Sequence, residues 1–518
     1  MKRVIEDGSL LHSNISFLDT TLRDGEQTPG VMLTPDQKLL IARKLDDIGI
    51  DIIEAGSPIT SKGELEAIKT IANEGFNAEI CAYARIRRED IELVAGCDVD
   101  SVHLVVPVSE IHITRKLKKD HETVLGEAIE MVGFAREHGL IVELSGEDAS
   151  RADLEYLKTL YQAGIDAGAE RLCFCDTVGV LVPERTEEIF TELSNLKRPI
   201  SIHCHNDFGL AAANTIAALR AGASEAHVTV NGLGERAGNT PLEEVVLVLE
   251  ALYNKRTGIK CEELYPLSRL VSKLTKIPVS HNKALVGSNA FTHEAGIHVH
   301  GVLADSSTYE PITPEMVGRK RRIVLGKHAG RASVNLALQE LGLEAKEEQV
   351  KEIINRVKEL GDHGKHVSDA DLESIAETVL GIYQEAKVKI EELTVVSGNR
   401  VTPTASLKLQ VSGNEIVEAA TGLGPVDAAI NALRKAIAGI ADIRLEEYHV
   451  DAITGGTDAL VEVLVKLSKD ERVITARGAR ADIIMASVEA FLEGVNRLIQ
   501  DRDGGQKKEW QKLQVQKH

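Results

Sequence analysis

His203 and His205 stand two residues apart at the end of an apolar, β-favouring run (199–204), and Asn206-Asp207-Phe208-Gly209 breaks that run. Side chains at i and i+2 of a strand share a face, so both imidazoles can aim at one small ion. Bound divalent metal is the functional reading, and a pair of satisfied core histidines is the alternative that this motif alone leaves open. Other apolar runs carry the same kind of chemistry at their ends. Arg23-Asp24-Gly25-Glu26 follows the first run, Glu54 closes the second, and His103 lies in the fourth. Ser145-Gly146-Glu147-Asp148 closes the fifth and Asp176-Thr177 the sixth, while Asn231 and the loop Gly234-Glu235-Arg236-Ala237-Gly238-Asn239 follow the eighth. Any one of these could be a cap or turn residue. Capping does not account for seven strand ends together.

The elements that must hold these residues alternate. Strand patterns at 16–22, 51–56, 79–85, 101–107, 141–148, 171–176, 200–207 and 225–232 are separated by helical patterns such as 35–48, 121–138, 152–164 and 210–221. Eight β/α units in about 240 residues predict an α/β fold, a parallel (β/α)8 TIM barrel, with its active site at the C-terminal strand ends. A doubly wound open sheet is the alternative. No G-x-G-x-x-G follows the first strand and no P-loop occurs, which argues against nucleotide binding of those types.

Composition narrows the classes further. The 518 residues are 43% hydrophobic, enough for a large core, but only 3% aromatic, too few for a stacking platform for single-stranded nucleic acid. A formal net charge of −20 repels nucleic-acid phosphates and anionic membranes. No apolar run approaches the roughly 20 residues that span a bilayer. Residues 1–9 are polar and of mixed charge, unlike a signal peptide. The six cysteines are too sparse for a disulfide framework, and Cys173-x-Cys175 reads as a core-strand pair. A cytoplasmic protein without nucleic-acid or membrane partners is the expectation.

Four regions are expected: a barrel at 12–270, lid and linker subdomains at 271–390, a regulatory domain at 391–500 and a flexible tail at 501–518. The histidine-rich run 289–301 offers either a second metal site or a substrate-facing lid with one working histidine, and Tyr309 follows it. Helical patterns at 344–361 and 369–385 enclose a loop with Gly364-Lys365. Strand patterns at 393–397, 404–409 and 416–420 then precede a helix ending near 437; the same order recurs with strands at 444–453, 459–466 and 472–476 and a helix ending near 498. Asp427 and Asp482 open the two helices, so the region reads as a compact α+β domain with an internal repeat.

Three motifs carry a resemblance. Asp19-Thr20-Thr21-Leu22-Arg23-Asp24-Gly25-Glu26-Gln27, His203-Cys204-His205-Asn206-Asp207 and Asn231-Gly232-Leu233-Gly234-Glu235-Arg236-Ala237-Gly238-Asn239 resemble signatures of the 2-isopropylmalate, homocitrate and citramalate synthases. The resemblance covers nearly the whole chain, and the C-terminal repeat looks like that family's allosteric amino-acid-binding domain. Within the family, Thr28-Pro29-Gly30-Val31, Val105-Val106-Pro107, the run from Cys173 to Gly179 and Val396-Ser397-Gly398-Asn399 are most similar to the archaeal type of (R)-citramalate synthase.

The resemblance implies an acyltransferase that condenses acetyl-CoA, as co-substrate, with a 2-oxoacid and hydrolyses the thioester. It implies a divalent metal (Mn2+, Zn2+ or Mg2+) held by Asp24, His203 and His205, with Asn239 as a further or outer ligand. Arg23 would stabilise the oxyanion and Thr177 hold the substrate carboxylate, while Glu147 and His298, with Tyr309 from the lid, would supply acid–base chemistry. His300 stands where the family often has Asp, which leaves that role open. The substrate side chain would meet Tyr83, His103, Ser145 and Cys173. Tyr83 favours pyruvate, for isoleucine biosynthesis; His103 and Ser145 resemble the pocket for 2-oxoisovalerate, the 2-isopropylmalate synthase route to leucine, and homocitrate synthesis is a further alternative. A homodimer with a branched-chain amino-acid effector at the C-terminal domain is also implied. An amino-acid sensor with an idle barrel and a metal-dependent lyase are the readings from other classes; the intact Arg-Asp and His-x-His pairs oppose the first, and His298 with Tyr309 opposes the second.

Overall fold

A computed structural model of the chain describes residues 14–362, 367–381, 387–411, 413–439, 442–452, 461–470 and 472–499. The expected tail at 501–518, the loop at Gly364-Lys365 and the N-terminal stretch 1–9 lie outside the described residues. Eight parallel strands close into a barrel: β1 (Ser16–Asp19), β2 (Ile52–Glu54), β3 (Glu79–Arg85), β4 (Ser101–Pro107), β5 (Ile141–Glu147), β6 (Arg171–Asp176), β7 (Ile200–Cys204) and β8 (Glu225–Val228). β3, β4 and β6 begin and end where the apolar pattern placed them. β1, β7 and β8 stop three or four residues short of the pattern, because the polar strand-end residues leave the ladder to form the mouth.

Alternation sorts the strands into two faces. Val102, Leu104, Val142, Leu144, Leu172, Phe174, Ile200 and Ile202 join the core between strands and helices. Their neighbours His103, Glu143, Ser145, Cys173, Ser201, His203 and His227 are also buried and make their contacts with one another inside the barrel. There, Ser201 Oγ donates to Glu143 Oε1 at 2.6 Å, His227 Nε2 lies 3.0 Å from the same oxygen, and Arg171 grips Glu79 at 2.9 Å. The usual filling of such a barrel is branched aliphatic; here the apolar interior cluster is only Leu18, Ile52 and Cys81. Cys173 and Cys175 are indeed a buried strand pair, with sulfurs 3.8 Å apart.

Local signals set the helices. Pro35–Ile48 starts at Thr34, whose side chain accepts from Gln37 N while Gln37 answers to the backbone of Thr34, and it ends at Gly49 with φ 95°. After the barrel, helix Leu264–Thr275 leads to a short parallel pair, β9 (Thr292–His293) with β10 (Arg322–Ile323), flanking helix Gly296–Ala304.

The compact division falls between Ile323 and Val324, inside the stretch expected to be lid and linker. In the second unit, helices Arg331–Glu340, Glu347–Asp362 and Asp369–Leu380 share a small core around Val334, Ile353, Val357 and Ala376. Two antiparallel three-stranded sheets follow: β11 (Val388–Gly398), β12 (Val401–Val411) and β13 (Asn414–Thr421), then β14 (Arg444–Ala452), β15 (Val461–Lys469) and β16 (Arg472–Arg480). Helices Pro425–Ile437 and Ile483–Ile499 close the two halves, and Leu407, Leu433, Val465 and Phe491 pack in one shared core. All of these strands but β14 run longer than the pattern predicted, because one face of each is partly open to solvent and its polar residues read as turn. Asp482 accepts from Ile484 N and Met485 N at 2.8 and 2.9 Å, whereas Asp427 sits inside its helix and reaches back to Leu423 N at 2.8 Å.

Candidate active site at the barrel mouth

After β1 the chain turns tightly: Arg23 N, Asp24 N and Gly25 N all point at Thr20 O, at 3.1, 2.9 and 3.0 Å. That turn swings Arg23 and Asp24 over the mouth. Asp24 Oδ2 lies 3.4 Å from His203 Nε2 and 3.9 Å from His205 Nε2. The candidate ligand atoms of the three residues all fall within 4.8 Å of one another. Asn239 bridges to His205 through the backbone. Its Nδ2 donates to Leu233 O at 3.3 Å, and its Oδ1 is buried without a partner. This donor set fits a divalent ion: one carboxylate, two imidazoles and an orphaned amide oxygen. Burial pulls His203 down to about 3 and also lowers His205, so both rings are neutral at pH 7 and have a lone pair to give. Burial alone would raise Asp24, but the Arg23 guanidinium and the imidazoles outweigh it and hold the carboxyl well below its usual range.

Arg23 is locked in place. Its Nε donates to Glu54 Oε2 at 2.8 Å, Nη1 donates to Asp24 Oδ2 at 3.0 Å, and the guanidinium stacks on Tyr83 at 4.8 Å. Among the described residues Nη2 has no hydrogen-bond partner, which leaves one edge for a developing negative charge. Glu54 also takes His103 Nδ1 at 2.7 Å and the hydroxyl of Thr20. Burial opposes ionisation of Glu54, yet Arg23 and His103 together push its carboxyl far down. His103 is the mirror case: burial lowers it, Glu54 raises it more, and it reaches about 9.

Comparison with known proteins completes the picture. Residues 14–271 match the HMGL-like family, 285–365 the homocitrate synthase post-HMGL domain-like family and 366–499 the LeuA allosteric (dimerisation) domain. A Methanosarcina acetivorans protein named "Putative (R)-citramalate synthase CimA" is 68% identical over 482 residues, covering 93% of this chain and 100% of that protein. The "(R)-citramalate synthase CimA" of Methanocaldococcus jannaschii is 57% identical over 488 residues, covering 94% and 99%. The chain belongs to the citramalate synthase family.

Other residues singled out for this family member sit at varying distance from that centre. Tyr83 faces Arg23 and stays partly exposed, with its hydroxyl raised to about 12 by burial. His103, Ser145 and Cys173 are fully buried; Ser145 Oγ bonds His103 Nε2, and burial pushes the Cys173 thiol to about 12. Of the four pocket candidates, only Tyr83 retains surface for a substrate side chain. Thr177 Oγ1 accepts from Asp148 N at 2.8 Å, which leaves its hydroxyl proton free to donate. Glu147 closes β5, but Lys116 Nζ holds both of its oxygens at 2.7 and 2.9 Å. His298 stacks on Tyr309 with centroids 4.3 Å apart, and no hydrogen bond or ring contact joins either to the mouth residues among the described residues. The histidine-rich run forms no metal-binding group among the described residues; His293 instead pairs with Glu310 at 3.0 Å.

Sequence reasoning left three contributors without a role. Glu54 was visible as a strand-end acid, and its work as the clamp on Arg23 and His103 shows only in the closed barrel. His227 lies 5.5 Å from His203, ring to ring, and is held by Glu143; its only signal was alternation along β8. Lys116 sits in a basic surface run that carried no catalytic signal.

Proposed function

We propose that this chain condenses acetyl-CoA with pyruvate and hydrolyses the thioester, giving (R)-citramalate and free CoA. The observation that carries the reaction class is the Asp24, His203 and His205 cluster with Arg23 beside it. Pyruvate as the acid is supported by the names of the relatives above and by Tyr83 at the mouth. A bound divalent metal, held by Asp24, His203, His205 and Asn239, would polarise the keto and carboxylate oxygens of the 2-oxoacid. Arg23 offers its free edge to the oxygen that becomes negative as the carbon–carbon bond forms; because Glu54 and Tyr83 already fix it, little reorganisation is needed. Thr177 donates its hydroxyl proton to the substrate carboxylate. Glu147 takes a proton from the acetyl methyl group once Lys116 releases it, and His298 with Tyr309 joins after the 296–309 segment moves to the mouth.

Three further readings belong to this proposal. The chain works as a homodimer in the cytoplasm, supported by the match of 366–499 to a dimerisation domain and by six free cysteines. A branched-chain amino acid, isoleucine when citramalate is the product, acts at the C-terminal repeat. Nucleic acid and membrane play no part; among the described residues no helix is long and apolar enough to cross a membrane. The test is thiol release from acetyl-CoA in the presence of single 2-oxoacids. Pyruvate should give the highest kcat/KM, and a clear preference for 2-oxoisovalerate would make the chain a 2-isopropylmalate synthase instead.

A further inference from the structure

The chain is acidic overall, with a net charge of −20, yet the turn after β4 carries Arg115, Lys116, Lys118 and Lys119 within five residues. This turn is a π-helical segment, His112–Leu117, ended by Lys118 in the left-handed conformation with φ 56°. It is anchored to the mouth. Ser109 Oγ bonds Asp148, His112 Nδ1 approaches Glu147 to 3.6 Å, and Lys116 binds the Glu147 carboxylate at the end of β5.

Most basic residues around the mouth are already neutralised: Arg23 by Asp24 and Glu54, Arg85 by Asp90, Arg151 by Asp148, and Arg236 by Asp207. Arg115 and Lys118 are exposed and have no ion-pair partner among the described residues. Positive charge without an ion-pair partner on an anchored turn is available to an anion from solution.

We propose that this basic turn is the landing site for the polyphosphate end of acetyl-CoA, an inference that rests on the acetyl-CoA reading above. The 3′-phosphate and diphosphate of CoA are a compact anionic group remote from the reacting thioester. An acidic protein would repel that group except where local positive charge focuses the field. Arg115 and Lys118 are exposed on the turn, and Lys116 ties it to Glu147 at the end of β5, so the nucleotide would stay at the surface while the thioester enters the mouth. Lys116 bridges the two ends, because the ammonium that now holds Glu147 is next to the arriving phosphates.

The test compares acetyl-CoA with S-acetylpantetheine, which has the same thioester and no nucleotide, in the full chain carrying Arg115→Ala and Lys118→Ala. Both side chains are exposed, so folding should be unaffected. KM for acetyl-CoA should rise about tenfold, with kcat and KM for S-acetylpantetheine within about twofold of the parent. Weak binding of 3′,5′-ADP, read by calorimetry in low salt, should be lost in the variant. In the parent, KM for acetyl-CoA should climb with ionic strength, and much less so in the variant. An unchanged KM for acetyl-CoA, or an equal loss with both thioesters, overturns the landing site. Failure of the acetyl-CoA reading itself looks different: the parent then releases no thiol from either thioester with any 2-oxoacid.

Discussion

Glu54→Gln tests the clamp beneath the site. Glu54 is fully buried and binds Arg23 Nε at 2.8 Å and His103 Nδ1 at 2.7 Å. Glutamine keeps the shape and removes the charge. Burial would lower His103, but Glu54, with smaller help from Cys173 and Glu143, outweighs it and takes the imidazole from its ordinary 6.5 to about 9. A raised folded-state value contributes stability that is fully present below pH 6.5 and is lost as pH climbs through about 9. The rise corresponds to about 3 kcal/mol. In the variant the contacts of Glu54 with His103 lose their charge and most of that contribution disappears, while those of Cys173 and Glu143 remain. The stability gap between parent and variant should therefore be largest near pH 6, by at most about 3 kcal/mol from His103 plus the loss at Arg23, and should shrink towards pH 9. Urea unfolding followed by circular dichroism at the two pH values, using the barrel's transition, measures the gap. Turnover should fall at least about a hundredfold, because Arg23 loses the charged partner that aims it. A gap equal at pH 6 and pH 9 would refute the reasoning, since it would mean that Glu54 does not hold a proton on His103.

His203→Ala or His205→Ala should leave the barrel folded but cut metal content and abolish turnover, because only Asp24, one imidazole and the Asn239 oxygen remain; near-normal activity with normal metal content rejects the ligand assignment. Tyr83→Leu removes the ring that stacks on Arg23 at 4.8 Å and lengthens the pocket. The kcat/KM ratio of 2-oxoisovalerate to pyruvate should rise at least about tenfold, and an unmoved ratio would place substrate selection elsewhere. Ending the chain at residue 387 removes both halves of the repeat, whose first strand is tied to the last helix by Val388 N donating to Asn496 Oδ1 at 2.8 Å. Inhibition by isoleucine should vanish in that shortened protein, and retained inhibition would put the effector site in the barrel unit.

Local features were legible in the residues. β3, β4 and β6 were readable because strands buried on most of both faces are mainly apolar, and polar or turn residues mark where they stop. The shared aim of His203 and His205 follows from strand alternation alone. The two halves of the C-terminal repeat were visible in order, although most of their strands, wet on one face, looked shorter than they are. What the chain does across distance was not legible. Asp24 meets His203 only because β1 and β7 flank β8 in a closed barrel. The sequence marked Glu54, His103 and Arg23 as three separate polar residues; closure makes them one clamp, in which each charge is tolerable because the others are there. The polar barrel interior around Glu143, Arg171 and His227 has the same origin. Glu147, His298 and Tyr309 were named by resemblance, yet the ion pair of Glu147 with Lys116 and the ring contact of His298 with Tyr309 came from the tertiary structure. Periodicity and turn chemistry are written in neighbouring residues, whereas the pairing of buried charges depends on which strands the fold makes adjacent.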